Sequence, residues 1–141
     1  MNKKGFTLIE LLAIIVILGI LAAMSTMMVG NYVKNSKKDA TRVTAQTMIN
    51  AVLDDLELLE VKDETPENKT YDFLGENKNL LEKPLNKSPW EYKITAAKVY
   101  LTNYSNITIC IKDEKGNGVK GTEEQIKNNS KDLIYENITC N

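Results

Sequence analysis

The sequence predicts an α+β fold in which a long N-terminal helix packs on a small antiparallel β-sheet. Three patterns carry this prediction: an apolar run from Leu11 to Val29, an apolar stripe at helical spacing after it, and alternating apolar residues in the C-terminal part. The chain has 141 residues, of which 43% are hydrophobic and 26% are charged. That length and composition suit one globular domain with a modest core.

The predicted helix runs from about Phe6 to Glu60 and has two different halves. As a helix, the apolar run from Leu11 to Val29 is about 28 Å long, close to the thickness of the hydrocarbon core of a bilayer. The second half has a single apolar stripe, formed by Ala45, Met48, Ile49, Val52, Leu53, Leu56 and Leu59. The first half can therefore cross a membrane, and we expect the stripe of the second half to pack on the sheet.

The rest of the chain predicts an irregular connection followed by strands. The connection covers residues 62–88, with a short turn near Leu80. Alternating apolar residues then predict strands around Trp90, Tyr92 and Ile94, around Val99 and Leu101, and around Ile107, Ile109 and Ile111. Trp90 and Tyr92 are expected in the core. A turn at Gly116–Gly118, a short helix with capping-box spacing at Thr122 and Gln125, and a last strand over Leu133–Thr139 complete the prediction.

Charge and composition argue against two classes of function. The formal net charge is −1 and the basic residues form no long run, so no nucleic-acid partner is predicted. The chain contains no His, which removes the commonest general base and the commonest metal ligand. We therefore predict neither an enzyme nor a bound cofactor.

The two cysteines, Cys110 and Cys140, lie far apart near the C-terminus and form no C-x-x-C pair. They are either a disulfide or two buried thiols. A disulfide is expected if this part of the chain lies outside the cell. It would close a loop of about 30 residues and stabilise the domain by roughly 3 to 4 kcal/mol.

The most informative stretch is Lys3-Lys4-Gly5-Phe6-Thr7-Leu8-Ile9-Glu10, which puts a carboxylate at the edge of the apolar segment. An acidic side chain costs roughly 2.5 to 3.5 kcal/mol at a bilayer centre and less near the interface, so such residues are functional candidates. Cleavage between Gly5 and Phe6 would create an α-amino cation four residues before Glu10. That cation could pair with Glu10 of the same or a neighbouring subunit and favour one axial register.

This stretch resembles the type IV pilin family, whose precursors carry a short basic leader ending in Gly, then Phe-Thr-Leu-Ile-Glu and an apolar helix. The resemblance covers about a quarter of the chain. It implies that a prepilin peptidase cuts after Gly5 and N-methylates Phe6, and that Glu10 acts in subunit recruitment and assembly. Residues 1–5 would then be the leader, 6–30 the membrane and filament-core half of the helix, and 31–141 the globular head.

The function implied by this resemblance is structural: a pilin stored in the cytoplasmic membrane and then assembled into a filament on the cell surface. Its partners would be copies of itself, minor pilins, the prepilin peptidase, and an assembly platform with its ATPase. The sequence departs from many family members at Met27, where they have a proline. Gly19 and Gly30 are then the candidate weak points of the helix.

Three alternatives stay open at this point. The first is a pseudopilin of a type II secretion or DNA-uptake (competence) system. The second is a binding module tethered to the membrane by an uncleaved anchor. The third is an ordinary signal peptide, which has no use for Glu10 or for the Gly5-Phe6 junction.

Other candidate sites have simpler structural interpretations. Asp113, Asn117 and Glu124 match positions of a calcium-loop template, but Lys115 occupies a ligand position and would repel the ion, so a solvated turn is expected and no metal is predicted. The acidic group of Asp54, Asp55, Glu57 and Glu60 is expected on a solvated helix face. Three Asn-x-Ser/Thr triplets, at Asn103, Asn106 and Asn137, are expected to arise by chance in an Asn-rich chain.

Overall fold

The computed structural model describes residues 5–62, 67–103 and 105–141. It confirms an α+β fold with a long N-terminal helix and a four-stranded antiparallel sheet. The elements are α1 (Leu8–Glu60), β1 (Lys69–Asp72), a 3-10 turn (Lys78–Leu80), β2 (Ile94–Asn103), β3 (Asn106–Asp113), β4 (Gly118–Thr122) and α2 (Glu123–Lys127). The chain divides after Ser36 into two compact units.

The first unit consists of the apolar half of α1 and the residues before it. Two hydroxyl groups interrupt the apolar run from Leu11 to Val29, and both are satisfied inside the helix. Ser25 Oγ donates to the Leu21 carbonyl at 2.8 Å, and Thr26 Oγ1 donates to the Ala23 carbonyl at 3.0 Å. These bonds let the two polar residues enter an apolar environment without an unpaired donor.

The second unit, Lys37–Asn141, has its own hydrophobic core between α1 and one face of the sheet. The predicted stripe forms the helix side of this core: Ala45, Met48, Ile49, Val52 and Leu56 are buried, and Leu53 and Leu59 pack beside them. From the sheet, every second residue of the strands faces the helix, including Val99, its partner Ile109 and the following Ile111. The prediction for this half of α1 is confirmed.

The sheet has the order β1-β2-β3-β4, with every neighbouring pair antiparallel. The predicted short helix is present as α2, and Thr122 and Gln125 form its capping box. The disulfide is also present: Cys110 in β3 is bonded to Cys140, with 5.7 Å between their Cα atoms.

The structure corrects the strand predictions in several places. β1 lies inside the connection that was predicted to be irregular, and β4 follows directly after the predicted turn. The predicted strand around Val99 and Leu101 is β2, which also includes Ile94 of the first predicted strand and has a register shift between Ile94 and Ala96. Thus a bulge, not a turn, interrupts the alternation of residues 94–101.

Trp90 and Tyr92 precede β2 and belong to a turn, so the prediction that they lie in the core is wrong. Glu91 between them has φ 70°, and the Ser88 N–H donates to the Tyr92 carbonyl at 2.8 Å. Trp90 is only half-buried and Tyr92 is 39% exposed.

The last predicted strand, Leu133–Thr139, is also wrong. Only an isolated bridge joins Ile134 to Lys120 of β4. Asn137 has φ 55°, which ends any extended conformation. The Ile138 N–H donates to the Gly116 carbonyl at 3.0 Å and not to a neighbouring strand.

Candidate functional site: the N-terminal motif

The junction between Gly5 and Phe6 lies just before α1 and is open to solvent. Phe6 is 80% exposed, and apart from Gly5 and its two neighbours in the chain, no described atom lies within 4 Å of the position that a Cβ on Gly5 would occupy. Lys3 and Lys4 of the motif lie outside the described residues. A peptidase that reads this junction would find both residues accessible.

Glu10 and Thr7 form a capping box at the start of α1. One carboxylate oxygen of Glu10, Oε2, accepts from the Thr7 N–H and from the Thr7 hydroxyl, both at 2.8 Å, and the Thr7 hydroxyl oxygen accepts from the Glu10 N–H at 3.3 Å. This reciprocal arrangement satisfies backbone donors that the first turn of a helix leaves open. Sequence reasoning missed the capping box at Thr7, although the Thr-x-x-Glu spacing that signals it stands in the motif.

The chemistry available to Glu10 follows from this arrangement. Oε1 accepts no hydrogen bond from any residue in the described ranges, so one oxygen of the carboxylate holds the helix start while the other stays available. A carboxylate with an available oxygen can accept a hydrogen bond from a nearby ammonium group, and such charge-assisted bonds are the stronger kind.

None of the described large apolar side chains in the apolar half of α1 is buried within the chain. From Leu8 to Val29, the large apolar side chains described by the structure are 44% to 84% exposed. α1 contains a window long and apolar enough to cross a membrane, and no part of that window is buried. A surface of this size and composition requires lipid or other apolar helices around it.

The calcium-loop candidate is not assembled in the structure. Lys112 pairs with Gly118 and Thr108 with Thr122, so Glu124 follows the end of the β3–β4 hairpin opposite to Asp113. The Asp113 carboxylate is fully buried and accepts from the Ser88 hydroxyl at 2.8 Å and from the N–H groups of Lys115 and Asn117 at 2.9 Å each. The carboxylate therefore organises the turn itself. Within the described residues, no three His, Cys, Asp or Glu side chains are grouped to hold a metal ion.

The acidic end of α1 has no arrangement suited to catalysis. Asp55 accepts from the Tyr71 hydroxyl at 2.9 Å and lies 3.6 Å from Lys69 Nζ, which links α1 to β1. Asp54, Glu57 and Glu60 are exposed, as predicted for a solvated face. The triplet residues Asn103, Asn106 and Asn137 are also exposed, and Asn103 Oδ1 accepts from the Ser105 N–H at 3.1 Å.

Comparison with known proteins identifies the N-terminal motif. Residues 1–26 match the family model described as the prokaryotic N-terminal methylation motif. This motif is the type IV prepilin-type signal of pilins and pseudopilins. No curated protein and no solved structure matches the chain. The chain thus carries a prepilin-type signal on a pilin-like α+β fold, and its apolar helix and motif fit membrane anchoring.

Proposed function

We propose that this protein is a structural subunit of a type IV pilus. A prepilin peptidase removes residues 1–5 and methylates the new α-amino group of Phe6. The processed chain is stored in the cytoplasmic membrane and then assembled, through the apolar half of α1, into a filament on the cell surface. Minor pilins and an ATPase-driven assembly platform would take part in this assembly.

The single observation that carries the proposal is the exposed apolar helix that begins directly at the methylation motif. Burying a large apolar side chain contributes about 1.5 to 3 kcal/mol, so the surface from Leu8 to Val29 strongly favours a state in which it leaves water. A bilayer and a bundle of identical helices both provide such a state. Transfer from one to the other exchanges one apolar environment for another.

Apolar burial alone does not select one axial register between subunits, whereas a charged group such as Glu10 can. After cleavage, Phe6 would carry an ammonium group, and Glu10 Oε1 is available to accept from it. In a low-dielectric bundle an unpaired charge is costly, so pairing Phe6 of one subunit with Glu10 of another would favour one axial register over its alternatives.

A pseudopilin is the alternative role, since the same signal and the same helix serve both classes of subunit. The two roles differ in the product. A pilus subunit yields long filaments that can be sheared from cells, whereas a pseudopilin at its normal level yields none. A tethered binding module would keep residues 1–5 and would work without assembly.

The test is intact and N-terminal peptide mass spectrometry on material sheared from the surface of cells that produce the protein. The proposal expects a chain that begins at N-methylated Phe6, recovered in high-molecular-weight filaments. A processed chain found only in membranes would favour the pseudopilin. A chain that retains residues 1–5 would refute both and leave the tethered module.

A matched control separates processing from general damage to the helix. Replacing Gly5 with a large residue should block cleavage, because the residue before the cut would no longer fit the motif. Gly30→Ala changes another glycine that has open space around it, and should leave cleavage intact. Equal loss of cleavage in both variants would contradict the assignment of the junction.

A further inference from the structure

Asn-x-Ser/Thr triplets are more frequent in residues 67–141 than the composition of this part of the chain explains. Besides the triplets that begin at Asn103, Asn106 and Asn137, three more begin at Asn68, Asn86 and Asn128. This range contains nine Ser and Thr residues, and six of the nine stand two residues after an Asn. A random order of the same residues would place about one of them there. Composition alone therefore does not account for the triplets.

Strand pairing brings four of these triplets to one end of the sheet. Asn103 ends β2, Asn106 begins β3, and the two are register partners across the turn between the strands. The Asn68 N–H, just before β1, donates to the Thr102 carbonyl at 3.5 Å, which places Asn68 beside the same turn. Asn106 and Asn128 line one open depression between this turn and α2. We call Asn68, Asn103, Asn106 and Asn128 the asparagine tip.

The triplets differ in whether their hydroxyl group can be reached. An acceptor triplet belongs on a surface loop, because the enzyme that modifies it reads both the Asn and the Ser or Thr. Asn103 and Ser105 are both exposed. Asn86 is exposed as well, but the hydroxyl of Ser88, the third residue of its triplet, is buried and donates to the Asp113 carboxylate at 2.8 Å. The Asn86 triplet is thus closed in the folded chain and serves as an internal comparison.

The amide of Asn103 is also oriented by the turn. Its Oδ1 accepts from the Ser105 N–H at 3.1 Å, so the hydrogen bond uses the oxygen of the side-chain amide and not its nitrogen. The nitrogen is the atom that N-linked modification requires.

We propose that the asparagine tip is a site of N-linked glycosylation of the folded second unit. The co-substrate class is an activated sugar, whose C1 carries a diphosphate attached to a lipid or to a nucleotide. The Asn Nδ2 forms a bond to C1 and releases one proton, while the C1–O bond to the diphosphate breaks and the diphosphate leaves with the electron pair. The glycan is a bulky, hydrophilic cover over one end of the sheet. This inference goes beyond the filament role and does not depend on assembly.

The test is peptide mass spectrometry on the chain from cells that produce it naturally, taken from membranes and from the sheared fraction. Trypsin cuts after Lys98 and Lys112, so Asn103 and Asn106 fall in one peptide, and electron-transfer fragmentation assigns each sugar to one residue. We expect glycan on both of these Asn residues and none on Asn86. A single sugar would indicate a nucleotide-linked donor, and a complete oligosaccharide would indicate a lipid-linked donor.

Hydroxyl variants separate the triplet from the Asn itself. Ser105→Ala keeps Asn103 and removes the hydroxyl of its triplet, and Thr108→Val does the same for Asn106. We expect each variant to lower glycan occupancy at its own Asn at least tenfold. Thr102→Val is the matched control, because Thr102 is an exposed residue of β2 that belongs to no triplet. Its occupancies should stay within twofold of the original chain.

Three outcomes would overturn the proposal. The first is unmodified Asn at every position of the asparagine tip in both fractions. The second is sugar attached to Ser or Thr oxygen. The third is equal occupancy at Asn86 and at the tip, since that would place the modification before folding. Glycan on membrane-bound chains of cells without filaments would support this proposal although the pilus proposal had failed, so the two failures are distinguishable.

Discussion

At the scale of single residues, Glu10 combines two roles that substitution can separate. Its carboxylate caps the helix through Thr7, and its charge is the proposed partner of the Phe6 ammonium group. Gln can also occupy the third position of a capping box, so Glu10→Gln keeps the cap and removes the charge. Thr7→Val does the reverse, since it removes the capping hydroxyl at a cost of about 1 kcal/mol and keeps the charge.

We therefore expect Glu10→Gln to abolish surface filaments while the chain is still cleaved, and Thr7→Val to lower filament yield only in part. Thr7→Ser, which keeps a hydroxyl, should behave like the original chain. The measurement is filament yield in the sheared fraction beside the cleaved fraction in membranes. Normal filament yield from Glu10→Gln would show that the charge has no part in assembly.

Asp113 is the buried carboxylate on which the β3–β4 turn depends. Asp113→Ala would leave the Ser88 hydroxyl and two backbone N–H groups without their acceptor, so we expect a loss of about 2 to 4 kcal/mol in the free energy of unfolding. Glu114→Ala, at the exposed neighbouring position, should change it by less than about 0.5 kcal/mol. Urea unfolding in detergent measures the free energy of unfolding of both variants. Equal losses in the two would contradict the structural role assigned to Asp113.

At this scale the sequence shows features that depend on local chemistry. The carboxylate at the edge of an apolar run makes Glu10 a functional candidate, and its role in assembly stays a prediction. The structural role of Asp113 could not be predicted, because its partner Ser88 is 25 residues away and only the fold brings the two together.

At the scale of elements, the β3–β4 hairpin depends on close backbone approach at Gly118. A Cβ on Gly118 would lie 1.9 Å from the Ile111 carbonyl oxygen, so an alanine there requires the strands to separate. We expect Gly118→Ala to destabilise the second unit by about 2 to 4 kcal/mol, measured by urea unfolding. Gly30→Ala, which meets no such contact, should leave the unfolding of that unit unchanged.

The disulfide fixes the C-terminal segment, which lacks regular secondary structure after α2 apart from an isolated bridge, onto the middle of β3. We expect Cys110→Ser/Cys140→Ser to lower the free energy of unfolding by about 3 kcal/mol, because the bridge closes a 30-residue separation. A reducing agent should bring the original chain to the same value and leave the variant unchanged. No response of the original chain to reduction would contradict the bridge.

The elements that the sequence predicted well are those with strong periodicity. The apolar stripe of α1 and the alternation of β3 were each sufficient to predict the element and the face that it buries. β1 was missed because it is four residues long and only Tyr71 in it is buried. The last strand was wrongly predicted because an alternating pattern does not reveal that Asn137 adopts a positive φ.

At the scale of the whole molecule, the two units differ in what they need from their surroundings. The second unit buries a complete core of its own, whereas the first buries none of its apolar window. We expect residues 37–141 alone to be monomeric in detergent-free buffer and to unfold cooperatively, as measured by ultracentrifugation and thermal melting. The full processed chain should form large particles without detergent. An unfolded 37–141 fragment would show that its core depends on the apolar helix.

The exposed apolar helix also restricts how a subunit can travel. With more than a dozen large apolar side chains exposed, each worth about 1.5 to 3 kcal/mol, moving one subunit into water costs at least on the order of 20 kcal/mol. At equilibrium, such a cost allows practically no free monomers in solution. New subunits would then have to pass directly from lipid contact to helix contact at the growing end, and a filament broken off the cell could neither regrow from a dissolved supply nor shed single subunits.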